Sequence, residues 1–137
     1  MLNVRLQLEI TAIPYTARYI DKEGIEVLKR DIAKMSESLD NGDFEKYHIY
    51  HREFHMHSFS FCNISYLVKA LSDALDHHER GLNIFKLRSW REQPNINEHV
   101  AILNALEKHD ERAAVKYLLN NKKTALKFFE EQLKDLV

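Results

Sequence analysis

The feature that most constrains this chain is how little interrupts it. Its 137 residues contain three Gly and two Pro, so few positions force a regular element to break. Leu, Ala, Glu and Lys, all good helix formers, recur throughout. The chain reads as all-α, an antiparallel bundle of about six helices forming one domain over residues 1–137, a length sufficient for a real core.

Apolar spacing and turn residues set the helix order. A first helix runs from about Asn3 to Tyr19 and contains Pro14, which predicts a kink or a split, because proline removes a backbone donor and clashes with the preceding turn. Asp21 caps the second helix, where Ile25, Leu28, Ile32, Met35 and Leu39 form one stripe that ends at Asp40-Asn41-Gly42-Asp43. Asp43 is an N-cap for a third helix, about Phe44 to Phe61. Cys62-Asn63 joins it to a fourth, which starts at about Ser65 and reaches Phe85 or beyond. Pro94 ends the segment after Trp90; a fifth helix spans about Asn95 to Lys108, and Asp110 caps a sixth that continues through Leu133.

Composition excludes several classes. A net charge of −1 and a pI near 6.7 leave no basic excess to neutralise phosphates, so the chain by itself is not expected to bind DNA. One cysteine, Cys62, permits no internal disulfide, and no apolar run is long enough for a signal segment or a bilayer span. The expectation is a cytoplasmic protein without membrane contact.

Histidine is the informative residue: eight occur, four of them between His48 and His57. Phe44, His48, His51, His55 and Phe59 follow one another at three- and four-residue steps, so His51 and His55 lie one turn apart on a core-facing stripe. His99 shares a face with Ile102, Leu103 and Leu106. Asn121 falls in line with Ala114, Tyr117, Leu118, Ala125 and Phe128. Two imidazoles one turn apart, completed by a third from another helix, suit zinc or a related transition metal. The competing reading makes each a hydrogen-bonded core histidine.

These residues carry a family resemblance. HREFH (His51 to His55) resembles the Asp-x-x-Phe-His signature of the FCD domain, the C-terminal effector-binding domain of GntR-family bacterial transcription regulators. EHVAILNALEKHD (Glu98 to Asp110) resembles that family's Glu-His, Ile-Leu, Ala and Asp pattern, with Ala114 at the following step. VRLQLE (Val4 to Glu9) is similar to its Arg-x-x-Leu-Glu opening. CNISYL (Cys62 to Leu67) resembles its Ser-Gly-Asn-Pro-x-Leu turn, with Asn63 where glycine is usual.

The resemblance implies a homodimeric helical bundle that binds a small carboxylate metabolite and relays its presence to a preceding winged helix. That DNA-binding domain is absent from this chain, so DNA is expected as a partner only through it. The resemblance also implies a divalent metal, zinc or nickel, at His51, His55, His99 and Asn121, with His in place of the family's Asp and Asn in place of its last His. Arg5 matches the family's effector-binding arginine, and Arg88 and His48 are further candidates for the effector.

Two other chemistries compete. Asp76-His77-His78-Glu79 invites a hemerythrin-like di-iron reading, but no Glu-x-x-His pair accompanies it. His109-Asp110 matches the dyad of a helical phosphohydrolase family, yet it falls at a helix boundary where Asp110 has an N-capping role. A plain interaction bundle with incidental histidines is also compatible with the periodicity. No serine or cysteine sits in an arrangement that would activate it as a nucleophile, so no catalysis is expected.

Overall fold

The computed structural model describes the backbone of residues 2–84 and 96–136 and the side chains of residues 4–77 and 96–123. These form six helices: α1 (Leu2–Tyr19), α2 (Lys22–Asp40), α3 (Phe44–Ser60), α4 (Ser65–Ile84), α5 (Ile96–Glu107) and α6 (Glu111–Leu136). No strand occurs among the described residues, and none of their helices is long and apolar enough to cross a membrane.

Each boundary has a local cause. Asp21, Asp43 and Asp110 accept hydrogen bonds from the amides of Gly24, Lys46 and Ala113 at 2.8, 3.1 and 3.0 Å, satisfying donors that a helix start otherwise leaves bare. Helix α2 ends where Gly42 takes a φ of +68°, the left-handed conformation glycine adopts at no steric cost. Two non-glycine residues also take it: Asn63, with φ 68°, between α3 and α4, and His109, with φ 56°, between α5 and α6. Asparagine tolerates this region better than most residues. His109 is fixed there by a bond from Nδ1–H to the carbonyl of Ala17, 2.7 Å away.

Helix α1 is continuous through Pro14, which therefore does not split it. The helix is packed against α3, α4, α5 and α6, and burial along that much of its length outweighs the one lost donor, an effect of about 3 kcal/mol. Its inner face carries Ala12, Ile13 and Ala17, all essentially inaccessible, and Thr16, whose hydroxyl donates to the carbonyl of Ser58 in α3 at 2.7 Å.

The connectors 41–43, 61–64 and 108–110 fold α3 back on α2, α4 on α3 and α6 on α5. Leu28, Met35, Tyr47, Phe54, Phe59, Leu71, Ile102, Leu106 and Leu118 meet in the middle as one core. The inward face of α3 is rotated from the stripe read in the sequence: Tyr47, Phe54, His55, Ser58 and Phe59 are buried, whereas Phe44 and His48 lie at its margin. The large rings of Tyr47 and Phe54 take the interior because they remove the most apolar area from water.

Candidate functional site

Polar side chains enter this core from four helices. From α3 come His51 and His55, whose Nε2 atoms are 3.1 Å apart, and from α5 comes His99, with ring centroids 4.9 Å from His51 and 5.3 Å from His55. One turn of helix stacks the first pair, and packing of α5 brings in the third. Phe54 lies edge-on to both His55 and His99, with centroids 5.5 and 5.2 Å away, which fixes the planes of the two rings. His55 and His99 are each 2% exposed.

Burial, more than any neighbour, pushes the pKa of His51 and of His55 well below the usual histidine value. The other imidazoles and the cations of Lys122 and Arg5 push in the same direction. These two rings are therefore neutral at physiological pH, the form that offers a lone pair to a metal.

Nearest in charge to the imidazoles is an ionic cluster between α1 and α6. Arg5 Nε donates to Glu9 Oε1 at 3.0 Å, and Lys122 Nζ lies 3.3 Å from the same oxygen. Arg5 and Glu9 are buried, Lys122 is half-buried, and Glu9 Oε2 has no hydrogen-bond partner. Burial and the nearby Arg5 lower the Lys122 pKa to about 8, against the pull of Glu9. Glu9 and Lys122 were not singled out in the sequence as site residues. The spacing Arg5-x-x-x-Glu9 and the position of Lys122, four residues after buried Leu118, are the signals that mark them.

Three groups of ligand donors are placed differently from one another. His51, His55 and His99 come together, with their ligating atoms all within 4.8 Å. Buried Asn121 turns its amide to Glu98, donating from Nδ2 to Oε1 at 3.0 Å. His48 is half-buried beside His51, whose protonation it disfavours. Arg88 and the side chain of His78 lie outside the described residues.

The trio fits a metal. Two Zn–N bonds of roughly 2.0–2.1 Å at a tetrahedral angle put their nitrogens roughly 3.3–3.4 Å apart, close to the 3.1 Å between His51 and His55. The ligating nitrogen of His99 lies within 4.8 Å of both. Among the described residues no carboxylate joins the three imidazoles, so the bridged di-iron chemistry of a hemerythrin-like carrier lacks its bridging groups here. His109 and Asp110 are spent on a carbonyl of α1 and the start of α6, which gives the dyad a structural explanation.

A family model, the FCD domain, matches residues 1–120. The chain belongs to the FCD domain family. Among solved structures, E. coli McbR/YncC superposes on it with a TM-score of 0.83 at 18% sequence identity. The match covers 95% of this FCD chain and 66% of that one, and at such identity it speaks to the fold. No curated protein sequence matches. Asn63 stands where this FCD chain departs from the family's glycine, and its φ of 68° accounts for the usual residue: the turn requires a left-handed backbone.

Proposed function

We propose that this chain is the ligand-sensing and dimerisation domain of a GntR-family transcription regulator. In this reading a small carboxylate metabolite enters the core, binds beside His51, His55 and His99, and alters DNA binding by a winged helix elsewhere in the regulator. Membership of the FCD family supports the class. The observation that carries the ligand site is the meeting of three imidazoles from two helices in the interior of the bundle, a placement that costs stability and calls for a ligand.

A divalent metal, zinc or nickel, would be held by His51, His55 and His99, with the Asn121 carbonyl oxygen as a further donor once its amide is turned. When bound, it supplies Lewis-acid coordination for a carboxylate. The protein's part is to keep His51 and His55 unprotonated, to orient the rings through Phe54, and to supply positive charge from Arg5. His48 and Arg88 are the remaining candidates for effector contact. No catalytic step is assigned. The metal serves binding, and the effector acts by shifting the population of dimer geometries. A homodimer in the cytoplasm is the assembly and location this role implies.

Elemental analysis of the purified chain, alongside His55→Ala and His99→Ala, tests the metal. Near-stoichiometric zinc or nickel that both substitutions abolish supports it. Failure to take up either metal, even when supplied, refutes it and leaves the imidazoles as a hydrogen-bonded trio. Two irons per chain would instead support the hemerythrin-like alternative.

A further inference from the structure

The side chains that meet at the proposed metal site are all imidazoles. His51, His55 and His99 bring their ligating nitrogens within 4.8 Å of one another, and among the described residues no carboxylate shares that space. Interior carboxylates are held elsewhere: Glu9 by Arg5 and Lys122 at 3.0 and 3.3 Å, Asp31 by His57 at 2.6 Å, and half-buried Glu98 by the Asn121 amide at 3.0 Å. Glu98 directly precedes His99 on α5, but consecutive residues of a helix do not share a face. His99 accordingly meets the rings of His51, His55 and Phe54, while Glu98 meets Asn121.

Donor type decides which cations such a site can hold. Three neutral imidazoles offer nitrogen lone pairs and no negative charge, and the Asn121 carbonyl oxygen, the further donor proposed above, is a neutral amide oxygen. Magnesium, calcium and manganese(II) are hard cations that favour carboxylate, carbonyl and water oxygens, and magnesium gives up its hydration shell reluctantly. Zinc and nickel(II) take imidazole readily. We infer that the trio discriminates against hard divalent cations, and that His51 is the residue that sets this selectivity. Its Nε2 lies 3.1 Å from that of His55, and its ring is 4.9 Å from that of His99 between centroids, so a donor at this position faces both other ligands. It is also the half-buried member of the trio, stacked on Tyr47, whereas His55 and His99 are buried edge-on to Phe54. A shorter acidic side chain at position 51 would therefore bring an oxygen donor and a negative charge to the site without emptying the centre of the core.

This selectivity rests on the proposed metal site, and metals supplied singly tell the two apart. The purified chain, stripped with chelator and dialysed against zinc, nickel, manganese or magnesium at the same free concentration, is analysed for bound metal. Near-stoichiometric zinc and nickel are expected, with manganese and magnesium at the level of the blank. His51→Asp is expected to gain manganese, and His51→Ala to lose zinc and nickel without gaining it. Circular dichroism checks that each variant is folded. Manganese held by the unsubstituted chain as fully as zinc overturns the inference and leaves the metal site in place, and this measurement decides the selectivity whether or not a variant folds. A folded His51→Asp that takes up no manganese overturns the assignment to His51. Uptake of no metal by the unsubstituted chain overturns the metal reading itself, and this inference with it.

Discussion

Acidification should destabilise the metal-free chain through His51 and His55. Burial holds both imidazoles neutral in the fold, while in the unfolded chain each titrates near 6.5. A histidine whose folded pKa is depressed contributes its full stability above the unfolded pKa. That contribution is lost as pH falls below 6.5, because only the unfolded state takes up the proton. Between pH 7.5 and 5.5 the linkage is on the order of 1 kcal/mol per imidazole and about 2–3 kcal/mol for the pair. Urea unfolding with chelator present measures it: with a slope of about 1–3 kcal/mol/M, the midpoint should fall by about 1–3 M. Asp31 works in the opposite sense, since burial raises its pKa despite its bond to His57. His55→Gln isolates the imidazole share, because Asp31 is unchanged in it. The pH dependence should shrink by on the order of 1 kcal/mol in this variant. Identical pH dependence in the two chains would refute the assignment of a buried, neutral His55.

Four further outcomes are expected. Phe54→Ala should cost about 3–5 kcal/mol in denaturant unfolding, because it empties a fully buried ring site and frees the planes of His55 and His99; a cost below about 1 kcal/mol would contradict the packing. Asp43→Ala should cost about 1 kcal/mol by loss of the α3 cap, measured the same way. Asn63→Gly should leave the unfolding midpoint unchanged or raise it, whereas Asn63→Val should lower stability by about 1–2 kcal/mol, since only the second opposes a positive φ. Lys122 has its pKa lowered from 10.5 to about 8, so stability should rise with pH from about 8 to 10 as the folded chain releases this proton first. Lys122→Met should abolish that rise and stabilise the chain at pH 7 by up to about 3 kcal/mol.

Helix order was legible in the sequence because its causes are local. Asp21, Asp43 and Asp110 are capping residues at the starts of apolar stripes, and all three cap. Gly42 is a stop and acts as one. What depended on tertiary packing was less legible. Pro14 sits inside an unbroken α1 because four other helices bury that element. The face of α3 was read about one residue away from where it lies: His48 is at the margin, and Tyr47 and Phe54 fill the centre. His51, His55 and His99 were findable because imidazoles on apolar stripes are unusual and three of them point inward. Asn121 was findable for the same reason, yet its bond to Glu98 depends on how α5 and α6 are set against each other. Lys122 was the hardest, since a lysine in a helix rich in lysine reads as a solvated charge until the packing of α1 against α6 puts Glu9 beside it.

Most inward positions carry alanine, leucine, isoleucine and large rings, and the buried polar groups outside the imidazole region, Thr16, Asp31, Ser38 and Ser58, each have a hydrogen-bond partner. Between α1 and α6 they carry buried Arg5, Glu9 and Asn121 with half-buried Lys122, groups whose removal from water opposes folding unless each is partnered. Glu9 partners both cations through one oxygen and leaves the other without a hydrogen bond, so the cluster is only partly compensated from within the chain. Lys122→Met removes one of the two cations on that oxygen and leaves Arg5 and Glu9 as a one-to-one pair, so it should raise the unfolding midpoint at pH 7.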